Sequence, residues 1–445
     1  MIRTTPQPLQ VLAPLSLAVA LLGTPGLGHA TNGMLMEGYG PIATGMGGAS
    51  MALDNGTAGM ANNPATLGLM GQNTRLDVAL GQLGPKVASQ AGPMSADSSA
   101  NSFLMPAFGY TRRSDSGLVW GVGLFAQGGM GTEYGADSFL AMGSGAPVRS
   151  ELGVGRLILP LAMSLNADLQ VGGSLDYVWS NLDLRMAASG AQLGGMVTSA
   201  SGNLGAALPA MGGAAWTRID FSDSSNYTGA ASSSGYAAKL GVLYKARADL
   251  SIGASWHSRT QLKDMQTSAQ GAQLSAAGGF SDSGRMTVDN FQFPAQVGAG
   301  VAWQTSPTLQ LVADVKRIYW SEVMDAFRMR YDSAGMGGSV SFAMPQNWND
   351  QTVTQLGASW RMSEALVLRG GLNLSTNPVP DATVNPLFPA IVERHYTAGL
   401  GYALSTAGDI NASIAYAPEI KVMSGAGPTI THSQTNLQLM YSHRF

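Results

Sequence analysis

The chain has no cysteine, so neither a disulfide framework nor a thiolate metal site is available to it. Charge is scarce as well. Lysine, arginine, aspartate and glutamate make up 11% of its 445 residues, against roughly 25% in soluble domains, too little to cover a soluble surface of that size. The net charge of −3 gives no basis for binding nucleic acid. After residue 30 there is no run of about 18 apolar residues, so a helical membrane span is not expected. Catalytic signatures are missing too. There is no G-x-S-x-G, His257, His395, His432 and His443 show no H-E-x-x-H spacing, and no G-x-x-x-x-G-K-[ST] loop is present. Gly38-x-Gly40-x-x-Ala43 mimics a dinucleotide fingerprint, but no strand precedes it and no βαβ pattern surrounds it. An enzyme, a cofactor and a metal site are therefore not expected.

What is present points to export and to a barrel. Arg3 supplies a charged start, Val11 to Leu22 an apolar stretch and Gly28-His29-Ala30 a small-residue cleavage site, so residues 1–30 read as a signal peptide and the mature chain as starting at Thr31. Glycine is abundant, with 58 in 445 residues against a usual share of about 7%. The last segment alternates. Leu437, Leu439, Tyr441, His443 and Phe445 share one face, and Asn436, Gln438, Ser442 and Arg444 share the other. One face suits lipid and the other a lumen.

The same alternation recurs at Leu169, Val171, Leu175, Tyr177 and Trp179, whose alternates include Ser174 and Asp176. It returns at Leu366, Leu368, Leu372 and Leu374, at Tyr236, Leu240, Val242 and Tyr244 opposite Lys239, and at Ile410, Ile414 and Tyr416. The apolar rows carry almost no charge, as they must when a lysine or arginine facing the bilayer centre costs about 2 to 4 kcal/mol. Arg317 is the exception, placed near a strand end where it can snorkel. The expected fold is an all-β membrane protein, an antiparallel transmembrane barrel over residues 73–445. Fourteen strands are expected, starting near residues 73, 103, 117, 150, 168, 233, 249, 287, 308, 350, 365, 391, 409 and 433. Short connections such as Asn166 to Asp168, Ala246 to Asp249 and Ser405 to Gly408 read as periplasmic turns, with Tyr244, Trp303 and Trp360 beside them as an aromatic girdle. Longer ones, the longest near Ala187 to Ser232, read as extracellular loops.

Residues 31–72 break the pattern, being rich in glycine, alanine and methionine with only Glu37 and Asp54 as acids. Here the runs Asn32-Gly33-Met34, Gly38-Tyr39-Gly40, Ala43-Thr44-Gly45-Met46-Gly47-Gly48-Ala49 and Asn63-Pro64-Ala65 resemble the N-terminal hatch of the FadL family of outer-membrane long-chain fatty-acid and hydrocarbon transporters. Pro106-Ala107-Phe108-Gly109-Tyr110, Gly128-Gly129-Met130-Gly131-Thr132-Glu133-Tyr134, Trp320-Ser321 and Asn385-Pro386-Leu387-Phe388-Pro389 resemble further family blocks in the family's order.

The resemblance implies a fourteen-stranded barrel closed by a hatch, residues 31–72, that admits hydrophobic molecules from outside and lets them leave sideways through the wall. It places Asn63, Pro64 and Ala65 against an inward kink in the third strand, facing Leu118 to Gln127, with Phe125, Gly128 and Gly129 completing the gate. Residues 150–165 support a greasy lumen, because Leu152, Val154, Ile158 and Ala162 oppose the lipid-facing row Leu157, Leu159, Leu161, Met163 and Leu165. Met34, Met36 and Met46 are expected along the same path, since methionine adapts to varied apolar ligands. Arg156 and Lys316 face inward by strand parity. They are candidates for a fatty-acid carboxylate, or for neutralising Asp176 and Asp314. The expected cargo is a long-chain fatty acid, with a monoaromatic or other small hydrocarbon as the alternative and a general porin or an outer-membrane enzyme as weaker rivals. The expected surroundings are outer-membrane lipid and lipopolysaccharide, reached through the barrel assembly machinery by a monomer whose assembly signal is Tyr441 and Phe445.

Overall fold

The computed structural model describes residues 32–71, 74–225, 227–425 and 427–445, so the expected signal peptide lies outside the described residues. The wall strands are β1 (Thr74–Ala91), β2 (Phe103–Arg113), β3 (Val119–Tyr134), β4 (Val148–Ser164), β5 (Leu169–Ala188), β6 (Ala231–Arg247) and β7 (Leu250–His257). They continue as β8 (Gln296–Gln304), β9 (Leu309–Ile318), β10 (Gln351–Arg361), β11 (Leu366–Ser375), β12 (Arg394–Ala403), β13 (Gly408–Met423) and β14 (Thr429–Arg444). Each pairs antiparallel with the next, and β14 returns to β1 along a register from Arg75 opposite Arg444 to Gln90 opposite Thr429. Closure removes the unpaired edges that would be costly in lipid.

The ring is larger at the long-loop end than the expected fourteen. Beyond Leu182 of β5, the strands β5 and β6 part, and Thr217–Phe221, Ala272–Ala276, Phe280–Asp289 and Met265–Gln266 insert between them, so the closed path there runs through 18 strands. The eighth wall strand is corrected with it. Residues 280–289 belong to this outer sheet, and the wall resumes only at Gln296. Three of the inserted strands have five residues or fewer, too few for the alternation by which a membrane-crossing strand is recognised, and Phe280–Asp289 pairs with the outer strands instead of the wall.

Across the wall the alternation resolves into two faces. Leu437, Leu439 and Tyr441 are exposed on the outside while Asn436, Gln438 and Ser442 are buried inside, and Tyr236, Leu240, Val242 and Tyr244 point outward around a buried Lys239. Trp303 and Trp360 are exposed beside short turns, and the Trp303 indole donates to Asp249 at 3.1 Å. The outward Arg317 reaches Asp350 at 3.3 Å and donates to Thr352 Oγ1 at 2.8 Å, which takes its charge to the strand end.

Residues 32–71 lie inside the ring and form short helical turns at Pro41–Thr44, Gly56–Ala58, Gly59–Asn62 and Pro64–Leu69, nearly all buried. Partners come from around the wall. Asp77 of β1 accepts from the Thr57 amide at 2.8 Å, and Asp314 of β9 accepts from the amides of Ser50 at 2.6 Å and Met51 at 3.0 Å. Gln355 of β10 donates to the Glu37 carbonyl at 2.6 Å, Asn373 of β11 to the Gly47 carbonyl at 3.0 Å, and Thr397 of β12 accepts from the Gly47 amide at 2.9 Å. Inward-facing wall glycines let two backbones touch. A Cβ on Gly371 would stand 2.3 Å from the Gly47 nitrogen, and one on Gly253 would stand 1.8 Å from the Met51 carbonyl. Much of the glycine surplus is explained by this close approach rather than by turns.

Candidate functional site: an apolar cavity at a break in the wall

Between β2 and β3 the ladder of the wall is cut short. Their pairing runs from Arg113 opposite Val119 to Ala107 opposite Phe125 and then stops, although β2 stays paired with β1 as far as Phe103 and β3 with β4 as far as Tyr134. Two local features end the ladder. Pro106 has no amide hydrogen to offer β3, and the β3–β4 register shifts between Ala126 and Gly128, leaving Gln127 as a bulge. Gly128 and Gly129 follow with φ of +147° and +158°, and a Cβ on Gly128 would lie 2.3 Å from the Met34 carbonyl. Only glycine tolerates that conformation and that contact.

The bulge is held from inside. Leu35 forms a bridge with Gly128, the Gly129 amide donates to the Met34 carbonyl at 3.2 Å, and the Tyr39 hydroxyl donates to the Gln127 carbonyl at 3.1 Å. The Tyr39 ring stands edge-on to Phe125 with centroids 6.2 Å apart.

A cavity of about 280 Å³ fills the break. Its inner boundary includes Met34, Leu35, Met36, Leu152 and Val154, and its outer boundary includes Leu104 and Leu124, whose side chains reach the lipid face. Residues of both faces line one space, so the cavity passes through the wall at this seam. Toward the long loops, Met34, Met130 and Leu152 are shared with a smaller void lined by Phe291, Phe327, Trp348 and Phe388. Those rings belong to a chain of contacts, Phe293 to Trp320 to Trp348 at 6.3 and 5.0 Å and Phe327 to Phe388 at 6.0 Å.

Among the described residues no lysine or arginine lines the cavity; its ionisable side chains are Glu37, Glu151, Tyr227 and His432. Arg156 and Lys316 stand elsewhere. The Arg156 guanidinium donates to Asp176 at 2.8 Å and to Gln127, and Lys239 shares the same Asp176 carboxylate. Lys316 borders a different, narrow void with His257, while Asp314, two residues before it on the same inward row, binds the amides of Ser50 and Met51. The neutralising role read from strand parity is therefore the one the contacts show for Arg156.

The other expected site residues divide. Met34, Met36, Phe125, Gly128, Gly129, Leu152 and Val154 come together at the cavity. Met46 instead packs beneath Gly357 and Gly371, and Ile158, away from the cavity lining, joins Met60, Leu67, Val119 and Phe125 in a buried cluster. Asn63, Pro64 and Ala65 are a correction. They do not face Leu118 to Gln127: the Asn63 amide donates to the Val242 carbonyl of β6 at 3.2 Å, and Pro64 and Ala65 sit against Gly172 of β5. The physical reason is space, because the paired glycines Gly172 and Gly241 leave room for Asn63, whose side chain caps the Ala65 amide at 3.1 Å, and for the backbone of Pro64 and Ala65. Leu104, Met105, Pro106, Glu37 and His432 were missed. The proline inside β2 was the available signal for the first three, and no sequence signal existed for the last two.

Closed antiparallel wall, lipid-facing apolar belt and wall-piercing apolar cavity together define an outer-membrane β-barrel that carries hydrophobic compounds. Comparison with known proteins agrees. The profile of the family described as outer membrane protein transport protein (OMPP1/FadL/TodX) matches residues 32–442, and the chain belongs to that family and to the bacterial outer membrane. It is similar to the crystal structure of the Pseudomonas putida toluene transporter TodX, 29% identical over 92% of this chain and 99% of that one, with a TM-score of 0.83. It is also similar to the Ralstonia pickettii toluene transporter TbuX, 30% identical over 92% and 99%, with a TM-score of 0.78. A Chlorobium limicola protein, described as uncharacterised and in a phosphoenolpyruvate carboxykinase gene 5′ region, is 51% identical over 61 residues. That match covers 13% of this chain and 29% of that one.

Proposed function

We propose that this protein takes up small neutral hydrophobic molecules of the monoaromatic class. They enter past the aromatic cluster under the long loops, occupy the cavity behind Leu152 and Val154, and leave sideways between β2 and β3. Residues 32–71 serve as the hatch that blocks the axial route, and uptake is passive, driven by the transfer of apolar surface out of water. Lipid and lipopolysaccharide surround a monomeric wall delivered by the barrel assembly machinery.

The observation that carries this reading is an apolar cavity through the wall with no cation on its lining. A fatty-acid carboxylate would have to be desolvated there without a partner, at a cost of several kcal/mol. The cavity volume, about 280 Å³, lies at the lower edge of the roughly 300–1,000 Å³ usual for small-molecule pockets, which suits one ring better than a long acyl chain. Both toluene transporters named above share the fold across nearly their whole length.

The test is uptake into proteoliposomes. Toluene should equilibrate far faster than through lipid vesicles carrying protein that lacks Gln127, the residue whose removal takes out the bulge and lets β3 pair with β2. Sugar and ion conductance should stay near background. Equal toluene rates with and without Gln127 would rule out the lateral route, and efficient oleate uptake with no toluene uptake would return the cargo to fatty acids.

A further inference from the structure

The cavity is rich in hydrogen-bond acceptors on one flank. Its three side chains on the β14 flank are Glu37, His432 and Gln434. The His432 Nδ1 lies 2.8 Å from the Pro389 carbonyl, which can only accept, so Nδ1 carries the ring proton and Nε2 is a bare acceptor. That Nε2 has no partner. Gln434 gives one amide hydrogen to Asn436 Oδ1 at 2.8 Å, which leaves its carbonyl oxygen and its second amide hydrogen on offer. Glu37 is 1% exposed, yet the Asn436 amide at 3.3 Å is its one side-chain hydrogen-bond partner among the described residues. The other acid on the lining, Glu151, is matched by Arg149. Glu37 and His432 Nε2 are thus acceptors short of donors on this flank, while the other donor side chains of the lining, Trp179, Asn181 and Tyr227, stand on β5 and in the connection after it.

Buried acceptors without donors are costly, at about 1–3 kcal/mol each and more for a charged group. A site so built discriminates. It gains from a ligand that brings a donor and rejects one that brings a further acceptor. Leu83, Val87, Met130, Leu152 and Val154 give the cavity an apolar surface that fits a ring.

We propose that the preferred cargo is a hydroxylated monoaromatic, a phenol whose ring lies on the apolar wall and whose hydroxyl donates to Glu37, with His432 Nε2 and Gln434 forming the rest of an acceptor shelf. The inference rests on the reading of this cavity as the transport site and names its substrate class. Glu37 belongs to the N-terminal segment and His432 to β14, so the shelf exists only when the segment is seated.

The experiment uses the full chain in proteoliposomes and compares 4-methylphenol, toluene and 4-methylanisole, in which the same oxygen has lost its hydrogen. With the wild-type protein, 4-methylphenol should half-saturate uptake at a concentration about tenfold below that for toluene, because a hydrogen bond to a charged acceptor is worth about that factor. 4-Methylanisole should show no gain over toluene. In Glu37→Leu the ratio of 4-methylphenol to toluene should fall toward one, and Glu37→Gln, which keeps an acceptor oxygen, should retain part of it. If toluene enters but 4-methylphenol gains nothing, or if 4-methylanisole gains equally, the acceptor shelf is overturned and the uptake of neutral aromatics stands. If none of the three enters faster than through plain lipid, the transport reading itself fails.

Discussion

The two sides of the wall treat the N-terminal segment differently. Along β9 to β12 the ladders are uninterrupted, and inward side chains bolt the segment's backbone in place through Asp314, Gln355, Asn373 and Thr397. Beside β3 the ladder to β2 stops and the ladder to β4 carries a bulge. The segment there meets the wall through main-chain contacts of Met34 and Leu35 and through the Tyr39 hydroxyl, with apolar side chains around them. Directional bonds are concentrated where the wall is continuous, and apolar contact where it opens. A polar anchor costs little beside a complete ladder, whereas at the break a greasy surface must remain for cargo, and bonded side chains would close it.

Removing the segment altogether is the strongest way to break this contrast. Deleting residues 32–70 empties both arcs at once, and planar-bilayer recordings should then show ion conductance that the intact protein lacks, with heat-dependent gel mobility confirming that the barrel has assembled. A deletion that stays non-conducting would mean the long loops block the axis instead.

Breaking the bolted side alone should have the next largest effect. Asp314→Ala leaves the amides of Ser50 and Met51 buried without an acceptor, a loss of about 3 kcal/mol. Hydrogen exchange at those two amides should accelerate about 100-fold, while the exchange of Gly129, on the open side, should change little. Acceleration spread evenly around the ring would show that the two arcs are not independent.

A neighbouring pair of substitutions sharpens the argument from close approach. An alanine at Gly371 places its Cβ within 2.3 Å of the Met46 and Gly47 backbone, whereas the Cβ of Gly370→Ala meets nothing nearer than 3.9 Å. The first should destabilise the seated segment by about 1–3 kcal/mol and the second by under about 0.5 kcal/mol, read as the urea concentration at which the segment detaches. Equal effects would show that the inward glycines are there for the strands and not for the segment.

The smallest effect lies outside both arcs. In the outer connection, hydrogen bonds and charge from Arg328, 2.6 Å away, hold the Asp325 carboxyl down at about 2. A depressed folded value means that this pair contributes its stability above the ordinary carboxylate range and loses it as the pH falls through about 2. Carboxyl NMR should show that low midpoint in the intact protein and an ordinary one in Arg328→Ala, with no change at the cavity.

Much of the wall was readable because lipid imposes a local rule. Leu437, Leu439 and Tyr441, or Leu159 and Leu161, declare their face by alternation alone, and the short turns declare which end they occupy. Arg317 was readable for the same reason, as a charge on an outward row near a strand end. The outer strands were not, since Met265–Gln266 and Thr217–Phe221 are too short to show a period. The inner contacts were not either. Arg156 finds Asp176 on the adjacent strand and Lys239 one strand further, and Asn63 finds Val242, only after the register of three strands is set.

By itself, then, the sequence determined that this chain is exported, crosses a membrane as strands and carries a small-residue segment ahead of them, because hydrophobic alternation and glycine content act residue by residue. Tertiary structure decided where the wall breaks, which cations are already spent on Asp176, and which acceptors look into the cavity. Those depend on groups far apart in the chain, such as Glu37 with Asn436 or Met34 with Gly129, that meet only when the ring has closed around the segment.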